Sequence, residues 1–232
     1  EVKSLSVDDW VVLRGLRIPL SLKLTSCAGP IWVEDCALGG PIALPGTPGI
    51  DASLCASITL LRCAITGSFG LSFGNAPGIR ATSSALALFD CQVFGAMGMW
   101  ADCYEFGGTF AFPGAPGISL TGGSLFASGC TIVGGKGGDG ATPDFPWYGP
   151  CAENGAKGGP GIDAGGPCTL LECLTLGGPG GGGGPSGSPG SPGLPTNNHT
   201  GIPVTELLGS ARHFAVTSPV REGQGAVFKF RG

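Results

Sequence analysis

Short runs of alternating apolar and polar residues recur along the chain, and five of them share one template. The runs align on Cys36, Cys63, Cys91, Cys130 and Cys173. Five residues before each cysteine stand Ile31, Ile58, Leu86, Leu125 and Cys168. Three before it stand Val33, Leu60, Leu88, Ala127 and Leu170, and two after it Leu38, Ile65, Val93, Ile132 and Thr175. Four after it comes a glycine: Gly40, Gly67, Gly95, Gly134 or Gly177. A spacing of two puts these side chains on one face of extended backbone. The residues between them include Asp35, Arg62, Asp90 and Glu172, so the opposite face meets water. The pattern predicts strand on both sides of each cysteine.

A second strand is predicted at Ile50, Ile79, Ile118 and Ile162, each preceded by Pro-Gly and followed two residues later by Ala52, Ala81, Leu120 or Ala164. Proline fixes φ and glycine supplies the turn, so the dipeptide marks a change of chain direction. Strands this short cannot bury an alternating face alone, and no helical stripe is present for them to pack on. Stacking one repeat on the next solves both problems by lining identical residues into internal columns. The expected fold is all-β: a parallel β-helix solenoid of about five coils, with long Gly-rich loop insertions that grow toward the C-terminus and with β-prone termini. The implied organisation is an N-terminal strand, cap or assembly segment over 1–19, the β-helix over 20–177, a Gly/Pro-rich segment over 178–200 and a C-terminal β segment over 201–232.

On these residues, the repeat resembles right-handed parallel β-helix proteins of the pectate-lyase-like architecture, in particular Gly-rich bacterial surface versions with a "PGI" turn. The resemblance covers about residues 20 to 177. It implies a fold, and for the enzymes of the group it also implies polysaccharide cleavage, which needs clustered carboxylates on one solvent face. Here Asp8 and Asp9 are adjacent carboxylates but lie outside the repeat, and the two histidines are His199 and His213. No catalytic residues, cofactor or metal site are therefore assigned, and the chain is expected not to be an enzyme.

Composition changes the picture in one respect. The 232 residues include 46 Gly and 20 Pro, a level typical of low-complexity chains, yet 42% are hydrophobic, only 12% are charged, and mean hydropathy is +0.30. The glycines are therefore expected to serve as turns in a folded body. A net charge of -4, with basic residues scattered singly, leaves no patch for nucleic acid. No apolar run is long enough to span a membrane as a helix. The chain starts at Glu1 without a signal-like segment and reads as a processed or trimmed mature chain.

The ten cysteines fall into classes. The five aligned ones form a line rather than a tetrahedral cluster, so they are expected to be small buried fillers of a narrow corner, not zinc ligands. Cys27 and Cys55 lie one repeat apart, and Cys103 and Cys151 sit in the two long insertions. Cys27 to Cys55 and Cys103 to Cys151 are the candidate disulfides, with reduced thiols throughout as the alternative. The insertions also carry Trp100, Tyr104, Trp147 and Tyr148, either a platform for stacking on glycans or a cluster closing the loops on themselves. Asp139, Asp144 and Glu153 are too sparse to hold calcium. From Gly184 four Gly-X-Y triplets read as a semi-extended linker or a packed polyproline II segment. Asn198-His199-Thr200 is a glycosylation sequon, with Asn198 the acceptor.

With no catalytic cluster and with β-prone ends, the expectation is a secreted or cell-surface structural protein that self-assembles as a head-to-tail homo-oligomer, a filament or layer subunit. The alternative is a glycan-binding or polysaccharide-degrading β-helix that uses the loop aromatics.

Overall fold

A computed structural model describes residues 1–40, 46–69, 75–100, 111–140, 154–184, 187–198, 201 and 204–207, and the backbone of 214–216 and 228–230. The described residues contain strands and no helix. Three strands make one repeat, as in β7 (Ile50–Ser53), β8 (Ile58–Leu61) and β9 (Ala64–Thr66). The repeat before it consists of β4 (Leu22–Thr25), β5 (Ile31–Glu34) and β6 (Ala37–Gly39). In the two repeats after it the first two strands run together, as β10 (Ile79–Phe89) with β11 (Gln92–Phe94), and β12 (Ile118–Ser128) with β13 (Thr131–Val133). Then come β14 (Ile162–Gly165), β15 (Cys168–Leu171) and β16 (Leu174–Leu176).

Each strand pairs in parallel with its counterpart in the next repeat, and the register keeps the sequence columns aligned. Leu86 faces Ile58 and Leu125, Leu88 faces Leu60 and Ala127, and Val93 faces Ile65 and Ile132. The inward residues form one continuous core, with Leu24, Val33, Ile50, Leu60, Ile65, Leu88, Val93 and Ile132 fully buried. Parallel strands so short are stable only because every column is covered from above and below.

The pairing runs past both ends of the segment that the cysteine alignment delimits. Residues 1–19 form a full repeat: β1 (Val2–Lys3), β2 (Val11–Arg14) and β3 (Arg17–Ile18) pair with β4, β5 and β6. At the far end β17 (Thr196–Asn198) pairs with β14, and β18 (Val204–Leu207) with β15. These repeats escape a cysteine-based alignment because the corner position holds Leu16 in the first, and the last has no third strand among the described residues. Beyond them β19 (Phe214–Val216) and β20 (Phe228–Phe230) form an antiparallel pair.

Candidate functional site

The corners explain the cysteines. Immediately before each aligned cysteine the chain takes one residue in the left-handed region: Asp35, Arg62, Asp90, Gly129 or Glu172, with φ of 53°, 50°, 51°, 64° and 49°. That residue turns the strand inward and aims the preceding carbonyl at the cysteine side chain. The thiol of Cys36 then donates to Glu34 O at 3.2 Å, Cys63 to Leu61 O at 3.4 Å, Cys91 to Phe89 O at 3.3 Å, Cys130 to Ser128 O at 3.3 Å and Cys173 to Leu171 O at 3.6 Å. The sulfurs also accept: Leu16 N–H donates to Cys36 Sγ, Cys63 N–H to Cys91 Sγ and Cys91 N–H to Cys130 Sγ, each at 3.4 Å. Cysteine suits this place because it is small and apolar yet carries a weak donor and acceptor for the arch.

A second line of arches runs along the opposite edge of the same strands. Ser4, Ser26, Leu54, Ser83 and Gly122 take the left-handed conformation there. They precede Leu5, Cys27, Cys55, Ser84 and Gly123. Cys27 donates to Thr25 O and Cys55 to Ser53 O, both at 3.4 Å, while buried Ser84 donates to Thr82 O at 2.9 Å and accepts from Cys55 N–H at 3.0 Å. The expected Cys27 to Cys55 disulfide is not formed: both are buried free thiols. Each thiol instead donates to its own arch carbonyl. Cys103 and Cys151 lie outside the described residues, as do Tyr104, Trp147 and Tyr148.

Burial disfavours ionisation of these thiols. Desolvation pushes Cys168, which faces Leu125 in the core, up to about 11, and it raises Cys55 as well. The Asp35 carboxyl moves the other way. The guanidinium of Arg62, bonded to Asp35 at 2.7 Å and also paired with Glu34, holds the Asp35 carboxyl below its ordinary value. Arg14 joins the same group from the first repeat. Asp90 is a stacking neighbour of Arg62 by sequence, but the guanidinium turns to the carboxylates of the preceding repeat.

The third side of the molecule is a glycine array. Arms 95–100, 134–140 and 177–184 leave the core, and arms 111–117, 154–161 and 187–195 return to it. Gly137 N–H donates to Pro179 O and Gly158 N–H to Ser191 O, both at 2.9 Å, linking like arms of successive repeats. Outgoing and returning arms are bonded in turn, through Ala115 to Ala96, Gly135 to Ala115, Gly159 to Gly135, Gly178 to Gly159 and Gly193 to Gly178. Glycine recurs every third residue, as at 134, 137 and 140 or 187, 190 and 193. This is the pattern of extended chains with three residues per turn and no internal hydrogen bonds, which leaves the glycine amides to bond sideways to neighbouring arms. A Cβ at Gly135 would run into the Ala96 carbonyl, and one at Gly138 into the Met99 carbonyl, so the arms approach too closely for any other residue. Of the two readings of the Gly-X-Y run, the packed one describes the segments 180–184 and 187–195.

Among the described residues no three His, Cys, Asp or Glu side chains converge as a metal site requires, and no helix is long and apolar enough to cross a membrane. Asn198 is exposed on β17. Trp100 is 57% exposed, with Met97 and Phe112 also exposed beside it on paired arms. The structure adds exposed aromatics that the insertions do not contain: Trp10 in the first repeat, and Trp32 and Phe126 on one outward column. Period 2 signals only which face they occupy, and an outward aromatic reads in sequence like any other strand residue. Compared with known protein families, curated proteins and solved structures, the chain matches none.

Proposed function

We propose that the chain is a non-catalytic structural protein of the secreted or cell-surface kind, built as a parallel β-helix solenoid of pectate-lyase-like architecture and associating with further copies through its ends. One observation supports this reading above the others. The interior thiols, the arches and the glycine array engage one another from repeat to repeat, and among the described residues the strands of the first and last repeats each pair with one neighbour only. Open edges are templates for further pairing. Negative-stain electron microscopy of purified protein tests it: rods joined end to end are expected, and rods of a single unit length at every concentration overturn it.

A second reading rests on the exposed Trp100, Met97 and Phe112. An exposed indole with apolar neighbours suits stacking on a sugar ring. Depletion of the protein by an insoluble polysaccharide, lost in Trp100→Ala, is the result expected from it. No depletion removes this reading and leaves the first intact.

A further inference from the structure

Hydrogen bonding alone does not explain why sulfur recurs at the corners. In the second line of arches the hydroxyl of Ser84 closes the turn as a thiol does, yet Cys36, Cys63, Cys91, Cys130 and Cys173 put sulfur on five successive corners of the first. The register fixes their spacing. Leu61, Phe89 and Ser128, two residues before three of the cysteines, are paired from repeat to repeat, and so are Ala64, Gln92 and Thr131, one residue after them. Successive cysteines therefore stand one strand spacing apart, about 4.8 Å. Cys63, Cys91 and Cys130 are all buried.

The thiol protons are dispensable to the arches. The carbonyls that accept them from Cys91 and Cys130 are already bonded by main-chain donors of the preceding repeat: Phe89 O takes the Arg62 N–H at 2.9 Å, and Ser128 O the Asp90 N–H at 3.0 Å. Loss of either proton therefore orphans no acceptor. A sulfur without its proton is in turn met by donors. Cys63 N–H donates to Cys91 Sγ and Cys91 N–H to Cys130 Sγ, each at 3.4 Å, and such bonds strengthen when the acceptor is charged. Cys91 and Cys130 are thus neighbours whose sulfurs each accept a main-chain N–H. Among the described residues no third His, Cys, Asp or Glu converges with them on one point, which suits an ion that takes two ligands. Two metal–sulfur bonds of about 2.3 Å set in line span nearly the strand spacing, and thiolate sulfur selects soft ions such as Cu(I).

We infer that Cys91 and Cys130 form a binding site for one soft monovalent ion, Cu(I), held in linear two-sulfur coordination inside the stack. Two S–H bonds break, two Cu–S bonds form and both protons pass to solvent, with no change of oxidation state. The negative charge left on the pair is met by the Cys63 and Cys91 N–H groups. Because both sulfurs are buried, the ion is expected to enter as the chain folds. The whole chain is refolded from urea with Cu(I), kept reduced by ascorbate under anaerobic conditions, then challenged with a Cu(I) chelator and analysed for copper. One equivalent is expected to survive the challenge, to show two sulfur neighbours by X-ray absorption and to raise the urea midpoint. Cys91→Ser and Cys130→Ser are each expected to weaken retention by more than about 100-fold, beyond the range for loss of an outer-shell partner. Cys55→Ser, in the other line of arches, is expected to leave it unchanged. Either substitution in the pair keeps a hydroxyl to close the arch, as at Ser84; circular dichroism establishes that the variants fold, and Cys91→Ala repeats the test if Cys91→Ser does not. No retained copper, retention that survives Cys91→Ser and Cys130→Ser, loss of it on Cys103→Ser or Cys151→Ser, or three sulfur neighbours each overturns the assignment.

Discussion

The cysteine at each corner is a hydrogen-bonding residue before it is a redox one. Its thiol closes the arch made by the left-handed residue ahead of it, and Ser84 does the same work with a hydroxyl in the second line of arches. Burial raises the Cys168 pKa above the ordinary 9.0 to about 11. A thiol that ionises less readily folded than unfolded adds stability below pH 9, and that stability is lost as the pH rises through about 11. Urea midpoints are therefore expected to fall between pH 8 and pH 11, and to fall less in Cys168→Val, whose side chain suits a column shared with Leu125 and Ile58. A pH dependence unchanged in the variant would remove Cys168 from the account. At the same scale, Leu54 has φ of 54° and an exposed side chain. The left-handed conformation costs a non-glycine residue about 1–2 kcal/mol, and glycine gives back part of that as chain entropy. Leu54→Gly is expected to stabilise the protein by about 0.5 kcal/mol, seen as a higher urea midpoint; a loss of more than that would mean the leucine packs in a way its exposure denies.

At the scale of the element, the strands were legible in the sequence and the arms were not. The columns through Leu60, Leu88 and Ile65 announce themselves because a stacked fold repeats its side chains at fixed offsets, and the register found is the one the alignment requires. The first repeat was hidden because Leu16 takes the cysteine's place, and the last described repeat because Thr196, Asn198 and Glu206 break the apolar rule. The arms escaped for a different reason. Hydrophobic periodicity carries their position in strands but not in a segment whose signal is the absence of a side chain, so a glycine every third residue reads as punctuation until the neighbouring arms are in place. Gly135→Ala tests their role: the added carbon meets the Ala96 carbonyl, and a destabilisation of about 1–3 kcal/mol by urea unfolding is expected from such overpacking. The exposed Gly201 is open on all sides, and Gly201→Ala, strained only by its φ of 68°, is the milder control.

At the scale of the whole molecule, each repeat is held by its neighbours and by little else. Among the described residues the first and last repeats pair with one neighbour each, and the middle ones pair with two and hold the most deeply buried core. Stability in such a stack is the sum of local terms and contacts between neighbours, so opening is expected to start at the ends. Amide hydrogen exchange is expected to be slowest at Leu88, Val93 and Ile132, and fastest at Val2 and Val204. Uniform protection from end to end would show instead that the column opens only as a unit.

The glycine array also sets a grammar for change in this chain. Because each arm presents a glycine to its neighbours once in every three residues, an arm tolerates lengthening only in steps that return glycine to the same side. Insertion of one Gly-X-Y triplet into both arms of a repeat keeps every close approach in phase. A single inserted residue turns a side chain into the carbonyl of the next arm. The arms of this protein are therefore free to lengthen, provided that the length is counted in threes.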